Sequence, residues 1–68
     1  STWKIPMIRL KRANGGEVNL APFSIIAFIN RDKGSTVTVT GGLSYDVEES
    51  PRTIRNMLLN AHQNSLNF

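Results

Sequence analysis

The sequence predicts a small α+β domain in which an antiparallel sheet of about five strands packs one face on a single C-terminal helix. Three observations predict it: short segments that alternate in polarity, glycine-containing turns between them, and a helix-start signal before a stretch of helical periodicity. The chain has 68 residues, so we expect one domain over residues 1–68, with residues 1–6 as an N-terminal arm or strand extension. It contains no cysteine, which excludes a disulfide framework and a cysteine metal site.

The first hairpin is predicted from the alternating segments MIRLK and EVNL. The Asn-Gly pair between them would normally predict a two-residue turn, but that turn would mix apolar and charged residues on each face. A three-residue loop, residues 13–15, instead pairs Leu10 with Val18. The same register places Ile8 opposite Leu20, so the apolar side chains share one face.

The second hairpin follows the same reasoning. If Gly-Gly were the whole loop, the apolar residues of the two strands would lie on opposite faces. A loop of residues 40–42 instead pairs Val37 with Tyr45 and Ser35 with Val47. We expect the first loop to be a type I turn followed by a glycine with positive φ, Gly15, and the second loop likewise to end in a glycine with positive φ, Gly42.

Between the hairpins, SIIAFI predicts a third strand, and RDKG after it predicts a turn. The strand is apolar on both faces. Strict alternation places Ile25, Ala27 and Ile29 on one face, and Ile26 and Phe28 on the other. If the first set faces the helix, the second set faces away from it.

The C-terminal helix is predicted from Pro51 to about Gln63. Ser50 is a natural N-cap, and Glu48 and Glu49 lie near the positive end of the helix dipole. Apolar or small residues then recur with helical spacing, namely Ile54, Met57, Leu58, Ala61 and Ser65.

The segments MIRLKRANGG, SIIAFI and TGGLSYDVEES resemble the FlbD-like flagellar and swarming motility proteins, over about residues 7 to 60. The most specific part of the resemblance is the spacing of Gly42, Tyr45, Val47, Glu49 and Ser50. The chain departs from the family pattern in its extra STWKIP, in the lysine that replaces a usual threonine after RL, and in lacking a lysine-rich tail. The resemblance implies a non-enzymatic accessory or protein-binding role, in a bacterium or a phage, and it identifies no ligand.

Catalytic, cofactor and metal sites are not predicted. His62, the one histidine, lies on the flank of the helical stripe with no predicted partner. Asp46, Glu48 and Glu49 resemble a carboxylate cluster, but alternation points the first two outward and places Glu49 beside the helix start. This pattern favours a solvated edge and interaction with the helix dipole over acid–base chemistry.

A protein interface is predicted on the sheet face opposite the helix, because one helix can cover only one side of a sheet. In one interpretation, the N-terminal arm folds back over this face. In the other, which we take as the leading hypothesis, a second copy or another protein covers it. The predicted interface residues are Trp3, Ile5, Met7, Ile26, Phe28 and Leu59.

Nucleic acid is the alternative partner, because the net charge is +3 and most of the excess lies in the first 20 residues. The competing interpretation is an ordinary solvated basic edge that discourages strand aggregation. The candidate contact residues are Arg9, Lys11, Arg12, Arg31 and Lys33.

A third interpretation is a small structural subunit of a phage particle. No apolar run is long enough to span a membrane, and STWKIP does not resemble a signal peptide, so a cytoplasmic protein is expected, or a virion component in this third case.

Overall fold

The computed structural model describes the backbone of residues 6–66 and the side chains of residues 6–63. It confirms an α+β fold of five strands and one C-terminal helix. A short 3-10 turn, Pro22–Ser24, leads into the third strand. The elements are β1 (Ile8–Lys11), β2 (Glu17–Leu20), β3 (Ile25–Asn30), β4 (Ser35–Val39), β5 (Ser44–Val47) and α1 (Pro51–Leu66).

The five strands form two antiparallel sheets, β1-β2 and β3-β4-β5, where one sheet was expected. The sheets meet at a single bridge between Arg12 and Val47. Beside it, the Glu48 N–H donates to the Lys11 carbonyl oxygen at 2.8 Å. Among the described strands, β2 and β3 therefore lie at the two outer edges of the joined sheets.

The register of the first hairpin is confirmed. Leu10 lies opposite Val18 and Ile8 opposite Leu20. Gly15 has a φ of +96°, as a three-residue loop that ends in the left-handed region requires. Ile8 and Leu10 are buried, whereas the residues between and after them are exposed, so the alternation in the sequence corresponds to one buried face.

The register of the second hairpin is also confirmed, with Val37 opposite Tyr45 and Ser35 opposite Val47. Gly42, at the end of its loop, has the predicted positive φ, +91°. A type I turn has negative φ at both central residues, but the second central residue, Gly41, has a φ of +97°, which is the value of a type II turn. The two loops have the same length and are built on different turns.

The predicted faces of β3 are wrong from Ala27 onward, whereas Ile26 is exposed, as expected of a residue that faces away from the helix. A β-bulge lies between Ile25 and Ala27, so two residues of β3 oppose one residue of β4. The extra residue resets the alternation, and Phe28 pairs with Val37 on the inner face. Phe28 is half-buried and packs against the core, whereas Ile29 lies on the outer face and is exposed.

The helix begins as predicted. The Ser50 hydroxyl oxygen accepts a hydrogen bond from the Thr53 N–H at 3.2 Å, and Pro51 occupies the first helical position. The helix ends at Leu66, beyond the expected end near Gln63. Its buried residues complete one hydrophobic core with both sheets, formed by Ile8, Leu10, Leu20, Val37, Val39, Val47, Ile54 and Ala61.

Candidate interaction surface

The outer side of β3 exposes a row of apolar side chains. Ile26 and Ile29 are each 64% exposed, and Ala27 between them is also exposed. We call these three residues the β3 strip. Among the described strands, β3 has a neighbour on one side only, so the strip borders an edge whose main-chain N–H and C=O groups have no strand partner there.

On β4 and β5 the outer face is polar. The Thr36 hydroxyl donates to the Asp46 carboxylate at 2.7 Å, and the hydroxyl groups of Thr38 and Ser44 lie 3.0 Å apart. These cross-strand pairs hold β4 and β5 together with their polar side chains in solvent. Within the β3-β4-β5 sheet, the apolar part of the outer face is therefore confined to the edge strand.

The other predicted interface residues differ in their exposure to solvent. Met7, immediately before β1, is 55% exposed, and Leu59, on the helix, is 51% exposed. Phe28 packs against the core, so its placement on the outer apolar face was wrong, because the bulge turns it inward. Trp3 and Ile5 lie outside the described residues.

Three exposed apolar residues were missed. Phe23 is 74% exposed in the 3-10 turn, Ile29 is 64% exposed, and Leu43 is 59% exposed at the tip of the second hairpin. Phe23 and Leu43 flank turns, where a side chain leaves the sheet's alternation. For Ile29 the sequence offers no signal, because β3 is apolar on both sides and alternation cannot reveal an inserted residue.

Arg31 is engaged within the fold. Its guanidinium donates to the carbonyl oxygens of Val47 at 3.3 Å and Ser35 at 3.4 Å, and its Nε lies 3.8 Å from an Asp46 carboxylate oxygen. The side chain is only 29% exposed. These contacts tie the β3–β4 turn to the end of β5, and they occupy two of the five N–H donors of the guanidinium.

Two further arginines of the predicted basic set also contact neighbouring side chains. The Arg12 guanidinium carbon lies 5.7 Å from the centre of the Tyr45 ring, within the range of a cation–π contact. Arg9 lies 3.9 Å from the Glu17 carboxylate in an exposed ion pair. Exposed pairs of this kind are weak, so Arg9 could exchange its partner for a ligand at little cost.

The remaining two members, Lys11 and Lys33, are exposed on different elements. Lys11 ends β1, and Lys33 lies in the turn before β4. Neither forms an ion pair with a side chain among residues 6–63. Three of the five basic residues, the arginines, thus already contact other groups of the fold.

The three acidic residues that resemble a carboxylate cluster in the sequence make different contacts in the structure. Both carboxylate oxygens of Glu49 accept the backbone N–H of Lys11, at 3.1 and 3.0 Å, so this side chain joins the helix start to β1. Asp46 accepts from a threonine of β4, and Glu48 and His62 are exposed. Within the part of the chain that the structure describes, no three His, Asp or Glu side chains are grouped as metal ligands would be.

Comparisons with known proteins give no relative. No family model matches the chain, and no curated protein and no solved structure is similar to it. The resemblance to FlbD-like proteins therefore stays a prediction. Among residues 6–66, no helix has the length and apolar character needed to cross a membrane.

Proposed function

We propose that the protein is a non-enzymatic protein-interaction module and that the β3 strip is its contact surface. The observation that supports the proposal is the 64% exposure of both Ile26 and Ile29 on an edge strand. A single exposed isoleucine is ordinary on a protein surface. Two of them on an uncharged edge, in a chain too short to spare apolar burial, favour a surface that is covered in the working protein.

The chemistry of an edge strand defines the mode of contact. An added strand would pair with the unused main-chain groups of β3, while its side chains would cover the β3 strip. The bulge interrupts the edge near Ile26, which limits indiscriminate pairing. The regular part, Ala27 to Asn30, is long enough for a short strand pair.

Nucleic-acid binding has weaker support. Binding to phosphates needs several cations that can give up their present contacts, because each neutralised phosphate adds to the affinity. Arg31 and Arg12 already have partners in the fold, and the two lysines belong to different elements. The resemblance to FlbD-like proteins implies an accessory, protein-binding role, which agrees with the proposal.

The test is site-specific photo-crosslinking in the cells that make the protein. A photoreactive amino acid replaces Ile29 in one variant and Arg55, which is exposed on the helix, in the control variant. We expect a crosslinked product of defined mass from position 29 and none from position 55. The proposal fails if position 29 gives no product, or if both positions give the same products.

A further inference from the structure

We infer that the occupant of the β3 strip is the β3 strand of a second copy of this chain, paired antiparallel about a two-fold axis through Phe28. This inference rests on the proposed function, because it names the partner of the same surface. It is carried by the self-complementarity of the strand's two faces, by the absence of charge along it, and by the position of the bulge.

The two faces of β3 match their own copies in this register. Residues directly opposite in an antiparallel pair share a face, so Ala27 on the outer face meets Ile29 of the second copy, which is also on the outer face. Ile26, exposed in the bulge beside Ala27, becomes the diagonal neighbour of the same isoleucine. Both exposed isoleucines of each copy are then covered.

On the inner face, Phe28 meets Phe28 of the second copy. Phe28 is half-buried and packs against the core, with its remaining surface at the sheet edge. Aromatic cross-strand pairs are among the favourable ones in antiparallel sheets. The pairing would join the two cores side by side.

The charge pattern permits this arrangement and disfavours a parallel one. Residues 18–30 and 34–45 carry no charged side chain, so the charges nearest to β3 are Arg31, Asp32 and Lys33. An antiparallel pair sends these residues of the two copies to opposite ends of the interface, next to uncharged turns. A parallel pair would place both basic turns side by side, which is repulsive.

The edge of β2 does not offer the same match. That strand has four residues, and its Glu17 is paired with Arg9 at 3.9 Å. A charged residue on a short edge strand discourages further pairing. The uncharged β3 edge can therefore pair with a second copy, whereas the short, charged β2 edge disfavours such pairing.

The first experiment is a sedimentation series over protein concentration. One strand pair is at the small end of interface sizes, so we expect a reversible shift from 7.6 kDa to twice that mass. Ile29→Lys should raise the dimer dissociation constant about tenfold or more, because it places two charges at the shared edge. Asn56→Lys, which adds the same charge at an exposed position of the helix, should leave it unchanged.

The second experiment uses the absence of native cysteine. The double variant Ala27→Cys, Ile29→Cys places a thiol of one copy opposite a thiol of the other, at a separation that a disulfide can span. Mild oxidation should give a covalent dimer. The control, Thr36→Cys, lies one strand inward on the same face and should give no covalent dimer.

The outcomes distinguish the two proposals. A chain that stays monomeric at all concentrations, or a dimer that Ile29→Lys leaves intact, overturns the inference. If position 29 then still crosslinks to a different protein, the β3 strip is an interaction surface with another partner. If it crosslinks to nothing, the proposed function fails as well.

Discussion

The two hairpins have the same loop length and the same kind of register, but they are attached to the rest of the molecule differently. In the β4–β5 hairpin, the fully buried Ser35 donates its hydroxyl to the Glu49 carbonyl oxygen at 2.8 Å, which fixes the hairpin base to the start of the helix. The β1–β2 hairpin is held at the join by the Arg12–Val47 bridge and by the Glu49 carboxylate. Glu49 thus contacts both hairpins, one through its carbonyl group and the other through its side chain.

From this difference we expect the stability of each hairpin to depend more on residues at its base than on residues in its loop. Of the five glycines, Gly34 alone would bring an added Cβ within 4 Å of other atoms, those of the Val47 and Glu48 backbone. The glycines of both loops instead face open space. Substitutions at the hairpin base should therefore cost more stability than substitutions in the two loops.

Gly34→Ala should have the largest effect. Gly34 has a φ of +91°, and a Cβ there would collide with the Val47 carbonyl oxygen and lie 2.8 Å from the Glu48 carbonyl carbon. We expect a loss of about 3 kcal/mol or more, against a total stability of roughly 3 to 10 kcal/mol for a chain of this size. Urea unfolding followed by circular dichroism measures it.

Gly16→Ala is the matched control, because Gly16 also has positive φ, +83°, but has no atom within 4 Å of an added Cβ. It should cost about 1 kcal/mol from backbone strain alone. Equal losses for the two variants would show that close packing at the hairpin base is not what makes Gly34 sensitive.

Glu49→Ala should destabilise the fold by about 1 to 2 kcal/mol, since it removes the acceptor of the Lys11 N–H. Glu48→Ala is the control, because that side chain is exposed while its backbone N–H makes the contact with β1. Amide hydrogen exchange locates the effect: exchange at Lys11 should accelerate in the first variant and not in the second. The same rate in both would contradict a bond through the carboxylate.

Gly41→Ala should cost about 1 kcal/mol, and Asn14→Ala, at the same loop position of the first hairpin, should cost less. Gly41 has a φ of +97°, whereas no described non-glycine residue, Asn14 included, has positive φ. Thermal unfolding of the two variants compares the turns directly. If Asn14→Ala lowers the unfolding temperature more than Gly41→Ala does, the positive φ at Gly41 is not what distinguishes the two loops.

Arg9→Ala should have the smallest effect, below about 0.5 kcal/mol. Its partner Glu17 lies 3.9 Å away, and the two side chains are 71% and 51% exposed, so solvent screens the pair. Unfolding in low and high salt should give nearly the same difference from the original protein. A loss of more than about 1 kcal/mol in the free energy of unfolding would mean that the Arg9–Glu17 pair stabilises the first hairpin more than an exposed ion pair does.

The registers of both hairpins could be predicted because each strand alternates between one buried and one solvated face. A slip of one residue would expose Leu10 or Val37, so apolar burial selects one loop length. The helix start could be predicted because Ser50 and Pro51 act locally. The division into two sheets depends on how residues 11–13 meet residues 46–48, a long-range contact without a local signal.

The candidate surface could be predicted only in part. The surplus of apolar residues over what one helix can cover is visible in the sequence, and it includes Ile26 and Met7. Which face each residue of β3 takes is not visible, because a bulge in a uniformly apolar strand leaves the composition unchanged. The sequence predicted only an interaction of Glu49 with the helix dipole. Its hydrogen bond from the Lys11 N–H could not be predicted, because the two residues are 38 positions apart in the chain.

The bulge in β3 also has a consequence for length variation. Ile25 lies on the inner face, Ala27 on the outer face, Phe28 on the inner face and Ile29 on the outer face, so these four residues alternate regularly once Ile26 is left out. Removing that one residue would preserve the face of every other residue in the strand. In an alignment with related chains, the place where a one-residue gap costs the core least is therefore Ile26, in the middle of a strand and not in a loop.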